Sequence, residues 1–328
     1  MSITRVRILY VLRRLAQAIP VIFIIVSLNF LLVHLAHGSP ADALAGSSGS
    51  ATPEYMALLR HEFGLDKPLY VQYFDYLKNV FSLNLGYSFF NNMPVLALIL
   101  QRLPATLLLM GSTIILSVGG GIILGLFAGE RPNSTRDRVI SFLSLVLYAT
   151  PLFWLGLMLI ILFALRLRWF PASGMENVAQ FYTGWQMVVD VLHHLLLPAV
   201  TLSTFYLALY ARLMRASMLE HSNMEYVVTA YSKGLTQRAV TFKHILQNAC
   251  LPVVTMAGVQ IANLLGGSVV VESVFGWPGI GQLAFQALVS RDLNLLLAIF
   301  FVAACLVMVV NLIVDVIYTV LDPRIELA

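Results

Sequence analysis

The stretch EYVVTAYSKGLTQRAVTFKHILQNACLP, residues 225–252, is polar and charged and lies between two apolar runs. In a chain that otherwise avoids charge, a conspicuous basic segment at a membrane surface reads as a docking site for something soluble. Residues 225–231 favour a short helix, which Gly234 can end by adopting a left-handed cap. Thr236 is then a suitable N-cap for a second helix running toward the next apolar run. Two short helices joined at a glycine would fit a groove as a rigid lever. A merely solvated loop is the alternative that this pattern leaves open.

The membrane follows from composition. A mean hydropathy of +0.85, with 59% hydrophobic and 11% charged residues, lies far from a soluble domain, which carries about 25% charge. Two cysteines, Cys250 and Cys305, supply neither a disulfide framework nor a clustered metal site and read as small apolar packing residues. The net charge of +4 is spread among loops; it argues membrane orientation and no nucleic-acid partner.

Six windows are free of Asp, Glu, Lys and Arg: 15–41, 103–129, 139–165, 191–211, 244–271 and 293–314. Each is long enough for roughly 30 Å of hydrocarbon, which takes about 20 helical residues. Barrel strands are shorter, about 10 alternating residues, so the expectation is an all-α integral membrane bundle of six transmembrane helices. With the N-terminus in the cytoplasm, 13 of the 20 Lys and Arg residues fall on inside segments and 7 outside. The positive-inside rule therefore puts both termini and the 225–252 segment in the cytoplasm. The first apolar run exceeds a signal h-region of about 7–15 residues and no A-x-A site closes it, so it is expected to stay as the first helix. The expected organisation is a cytoplasmic N-terminus 1–14, a first helix 15–37, an extracytoplasmic region 38–102, a core 103–322 with a cytoplasmic loop 212–250, and a cytoplasmic C-terminus 323–328.

Outside the membrane, Thr52 and Pro53 would open a helix that Gly64 stops, and Pro68 opens a second. Tyr70, Tyr73, Leu77 and Val80 recur along it at helical spacing. That stripe reads as packing against the bundle or lipid headgroups, with an extracytoplasmic partner as the alternative. Gly121, Gly125 and Gly129 repeat every fourth residue, the small-xxx-small spacing that lets membrane helices approach closely. Pro151 falls near the middle of its window and should kink the helix, either as bundle packing or as a hinge or path element.

Ionisable residues at bilayer depth, which would mark an ion relay, are nearly absent. Asp315 and Glu272 are expected at the two interfaces. Asn29, Gln260, Asn263 and Asn311 read as interhelical hydrogen bonds before ligand contacts, with Asn263 kept as a path or hinge candidate. His193 and His194 cannot face one another on a helix and read as an interfacial pair, not a metal site. No G-x-x-x-x-G-K-[ST], H-E-x-x-H or G-x-S-x-G motif occurs. No catalytic residue, metal site or resident cofactor is therefore expected, which leaves a passive channel or a driven permease.

Residues 228–234 resemble the cytoplasmic E-A-A-x-x-x-G loop of ABC importer permeases, with Thr229 and Ala230 as its second and third positions and Gly234 as its glycine. Val228 departs at the first position, and Tyr231 stands where a basic residue is usual in this branch. Leu251 and Pro252 are similar to the longer spacing of the dipeptide, oligopeptide and nickel permease group. Supporting segments are LRRLAQAIP (12–20), FGLDKPLYVQY (63–73), RLPATLLL (102–109), ATPLFWLG (149–156), LLPAVTL (196–202), ARLMRASML (211–219), VESVFGWPGIGQ (271–282) and LDPRI (321–325).

The resemblance implies a type I ABC importer permease in a bacterial inner membrane. Such a subunit pairs with a second homologous permease, sits in lipid above two ATPase subunits that bind ATP and Mg, and receives cargo from an extracytoplasmic substrate-binding protein. The turn of Thr229, Ala230, Gly234, Leu235 and Thr236 would seat in an ATPase groove, Lys233 and Arg238 would make polar contacts there, and Phe242 would anchor the second helix. Glu272, Phe275, Gly276, Trp277, Pro278 and Gly279 would lie at the outer mouth, on the binding-protein side. Di- or oligopeptides are the leading cargo. Nickel or a metal chelate is the alternative within the same architecture, and an intramembrane enzyme is the remote one.

Overall fold

A computed structural model describes residues 3–35, 52, 66–88 and 90–321. The helix expected between Thr52 and Gly64, the residues from 322 onward and the Asp315 side chain lie outside the described residues. In chain order the elements are α1 (Ile3–Leu35), α2 (Leu69–Phe81), β1 (Tyr87–Ser88), β2 (Met93–Pro94), α3 (Val95–Glu130), α4 (Thr135–Ala149), α5 (Leu152–Leu159), α6 (Trp185–Ser222), α7 (Glu225–Ser232), α8 (Gln237–Val240), α9 (Leu246–Phe275), α10 (Ile280–Val289) and α11 (Leu293–Leu321). π-Helical turns at Ile160–Arg166 and Thr241–Ile245 extend α5 and join α8 to α9. β1 and β2 form an antiparallel hairpin with Tyr87 opposite Pro94.

The chain divides into two compact units, Met1–Pro104 with Leu283–Ala328, and Ala105–Gln282. In the first, Val26, Val80 and Phe301 form a buried cluster joining α1, α2 and α11. Asn29 serves as interhelical glue there, its Nδ2 donating to the Leu297 carbonyl at 3.2 Å.

The second unit is organised by the glycine ladder. A methyl group at Gly121 would meet Tyr210 Cβ at 2.5 Å and one at Gly129 would meet Met218 Cβ at 2.6 Å; at Gly125 it would collide with Met214 and the Ala211 carbonyl. Each four-residue step along α3 matches a four-residue step along α6, so the helices run parallel at backbone contact. Side chains were removed where another backbone had to pass, which is the purpose of the small-xxx-small spacing. Parallel neighbours also require the chain between them to recross the layer they span.

Three helices among the described residues are single apolar spans, Val95–Glu130, Trp185–Ser222 and Leu293–Val314, rising to five when each of two bent pairs counts as one. The window 15–41 falls on α1, in which Ile19–Leu32 is an apolar helical stretch among the described residues. The described residues therefore support three to five of the six expected spans. The third window is also more than kinked: Thr135–Ala149 and Leu152–Arg166 meet at 106°. Pro151 is the N-cap of α5 and holds Thr150 extended, at φ −78° and ψ 126°. A proline pushes its predecessor out of the helical region, and its missing N–H costs nothing at a helix start.

Candidate functional site

The 225–252 segment folds as two short helices about Gly234. Gly234 has φ +78°, a conformation that a Cβ penalises. The Leu235 N–H donates to the Ala230 carbonyl at 3.3 Å and the Gly234 N–H to the Tyr231 carbonyl at 2.9 Å. That pair of bonds is a Schellman motif, which satisfies carbonyls left over at the end of α7. Two residues on, Thr236 takes extended dihedrals and its Oγ1 accepts from the Ala239 N–H at 3.4 Å, capping α8. The reversal is therefore encoded by one glycine and one threonine.

Burial divides this segment into a root and a tip. Val227, Ala230, Val240, Thr241 and Ile245 are buried and fasten it to the core of the unit. Val228 is 62% exposed, Tyr231 47%, Leu235 39% and Phe242 53%; Thr229, Lys233, Thr236 and Arg238 are exposed too. Within the chain itself, Val240 and Ile245 are the residues that fasten this second helical stretch to the core. Tyr226 Oη and His221 Nδ1, 3.1 Å apart, tie α7 back to the end of α6. The result is an apolar knob with two basic flanks on a rigid base.

On α6 close to this segment, Arg215 Nε reaches Asp137 Oδ1 at 2.5 Å and Nη2 reaches Oδ2 at 2.8 Å. Asp137 also accepts from the Asn133 N–H at 2.8 Å and Ser141 Oγ at 3.2 Å. Ser134 caps α4, so the loop, α4 and α6 are held through one carboxylate.

The turn after α9 is closely packed. Glu272, placed at the interface by its sequence position, is 0% exposed. Its Oε1 accepts from Thr106 Oγ1 at 2.9 Å and its Oε2 from the Gln282 N–H at 2.9 Å. Thr106 Oγ1 in turn accepts from the Ile280 N–H at 2.8 Å, and Trp277 Nε1 donates to the Ala105 carbonyl at 2.8 Å. Gly276, at φ +59°, caps α9, and its neighbour Phe275 takes the Gly174 N–H on its carbonyl at 2.9 Å. Gly279 is bare because a Cβ would collide with the Glu272 carboxylate. Glu272, Phe275, Trp277 and Gly279 therefore form an internal knot, and of these six residues only Gly276 and Pro278 are partly exposed.

Both hinge candidates lie at bends. Pro151 stands at the 106° break, and Asn263 begins the second half of α9, which bends by 54° from Gln237–Ile261 to Asn263–Phe275. Asn263 Nδ2 donates to Gln260 Oε1 at 2.6 Å. His193 and His194 turn to different partners, the Trp169 carbonyl at 2.7 Å and the Asp190 carbonyl at 2.9 Å. Sequence reasoning missed the Asp137–Arg215 and Thr106–Glu272 pairs, because nothing local marks a partner 78 or 166 residues away.

Residues 121–327 match the family described as "Binding-protein-dependent transport system inner membrane component". Residues 7–110 match "Binding-prot-dependent transport system membrane comp, N-term". The chain is 39% identical over 317 residues to the "Probable peptide ABC transporter permease protein y4tP" of Sinorhizobium fredii, covering 97% of this chain and 99% of that one. It is 39% identical over 318 residues to the "Oligopeptide transport system permease protein AppB" of Bacillus subtilis, with 97% and 99% covered. Among solved structures, the MetNI methionine ABC transporter in an inward-facing conformation aligns at a TM-score of 0.56 and 18% identity, over 70% of this chain and 98% of that one. That likeness shows a shared type I ABC importer permease fold.

Proposed function

This chain belongs to the binding-protein-dependent transport system inner membrane components, and from that premise we propose that it is the permease subunit of an ATP-driven importer of di- or oligopeptides. It is a permease component of a multi-pass inner-membrane transport system, not an enzyme. Relatives at 36–39% identity are named for peptide, oligopeptide, di/tripeptide or dipeptide transport, which favours peptide over nickel or a metal chelate. In the proposed assembly both termini and the 225–252 segment face the cytoplasm. A second homologous permease completes the path, two ATPase subunits bind ATP and Mg beneath, and a substrate-binding protein delivers cargo from outside.

The observation that carries the reading is the exposed knob of α7 and α8 on its buried root. Val228, Tyr231, Leu235 and Phe242 seat in an ATPase groove, with Lys233 and Arg238 at its rim. ATP favours the closed ATPase pair, and the seated knob passes that preference to the bundle, which changes between two arrangements by bending at Pro151 and Asn263. Gly276 and Pro278 remain available to the binding protein at the outer mouth. Gly234→Val tests the lever: the protein should insert at normal levels while peptide uptake by the assembled complex is lost. Normal uptake would count strongly against this mechanism.

A further inference from the structure

Helix α2 runs alongside α1 and reaches the level of its apolar stretch Ile19–Leu32. Gln72 Oε1 lies 3.1 Å from His34 Nε2, Tyr73 Oη lies 2.6 Å from Ser27 Oγ, and Val80 packs with Val26 and Phe301. The order is antiparallel, with later residues of α2 meeting earlier residues of α1. The apolar span of α11 begins at Leu293, so Phe301 and its neighbour Val80 lie about 12 Å below that level. The chain then turns through Leu83 and Gly86, both at positive φ, and Ser88 Oγ donates to Asp292 Oδ2 at 2.5 Å. It enters as a helix and returns as a short extended segment to the level at which α11 begins.

The surface of α2 is divided. Tyr73, Tyr76, Leu77 and Val80 turn toward α1 and α11. Tyr70, Phe74 and Phe81, all exposed, lie within about 40° of one another on one flank. Asp75, Lys78 and Asn79, also exposed, lie on the side away from the contact. Hydrocarbon excludes such groups, and wherever the helix lies within it they persist only against water or a polar partner.

Resting on the importer reading above, with the Leu293 end outside, we propose that α2 is a re-entrant helix lining the aqueous path. Lys78 meets the carboxylate of a peptide in transit, and Tyr70, Phe74 and Phe81 meet its side chains. The exposed pair of Asp75 with Lys67, at 2.8 Å, keeps the Asp75 carboxylate from competing for Lys78.

Cysteine accessibility in the complete reconstituted transporter tests this, with Cys250 and Cys305 replaced by alanine. Lys78→Cys and Asn79→Cys should react with a charged, membrane-impermeant thiol reagent at least about tenfold faster than Leu28→Cys on the apolar surface of α1. A mixture of di- to pentaalanine should slow labelling of Asn79→Cys, which keeps Lys78. If both α2 cysteines match Leu28→Cys, reacting only with a lipid-soluble maleimide, the helix faces lipid and the proposal falls. Protection from both reagents places a protein partner there and overturns it equally. Labelling that no alanine peptide slows overturns the peptide contact. Accessibility is read without substrate, so a transporter whose ATP hydrolysis no peptide stimulates would sink the peptide reading while leaving the labelling contrast intact.

Discussion

Arg215 and Asp137 meet as a two-pronged pair, Nε to Oδ1 and Nη2 to Oδ2, linking α6 to the first turn of α4 across 78 residues. The carboxylate is nearly covered, whereas the guanidinium keeps 30% of its side-chain exposure. Removing the arginine leaves a buried carboxylate short of two donors. Arg215→Lys keeps the charge but loses the fork, so it is expected to destabilise by about 1.5–3 kcal/mol in thermal unfolding of the purified protein. Combining Arg215→Gln with Asp137→Asn should recover part of the loss; strictly additive losses would show that the pair contributes nothing as a pair.

The glycine ladder makes a contrast within one helix. At Gly119 an added methyl meets nothing within 4 Å, whereas at Gly125 it meets Met214 and the Ala211 carbonyl. Gly119→Ala is expected to be neutral or stabilising by up to about 1 kcal/mol, because alanine is the better helix former. Gly125→Ala is expected to destabilise by about 1–3 kcal/mol, since α3 must move away from α6. Equal melting temperatures for the two variants would refute close packing at Gly125.

Space does not explain Gly234, where an added methyl would meet nothing within 4 Å; its backbone angle does. Asparagine tolerates the left-handed region better than β-branched residues. Gly234→Asn should therefore retain most peptide-stimulated ATP hydrolysis by the assembled complex, while Gly234→Val should uncouple hydrolysis from uptake. Identical behaviour of the two would argue that the turn geometry is not what couples them.

Glu272 depends on Gly279 for room. Gly279→Ala drives a methyl into the carboxylate, and Glu272→Gln leaves one amide oxygen for the two donors Thr106 Oγ1 and the Gln282 N–H. Each is expected to cost about 1–3 kcal/mol through a donor left unsatisfied or a displaced turn. Because Trp277 belongs to the same knot, a shift of its fluorescence in both variants should accompany the lower melting temperature. Wild-type spectra and stability would mean that the knot tolerates either change.

By itself the sequence determined whatever depends on near neighbours: apolar windows, the four-residue glycine spacing, and the reversal at Gly234 with the cap at Thr236. These are set by periodicity and by backbone angles that only certain residues accept, so they can be read in order along the chain. Tertiary structure decided which helices adjoin, and with that the partners of Asp137 and Glu272, the burial of Trp277 and the outward turn of Phe242. It also turned an expected kink at Pro151 into a 106° break. A proline states that a helix must be interrupted, but the angle taken afterwards depends on what the second half packs against, and that surface is built by residues far away in the chain.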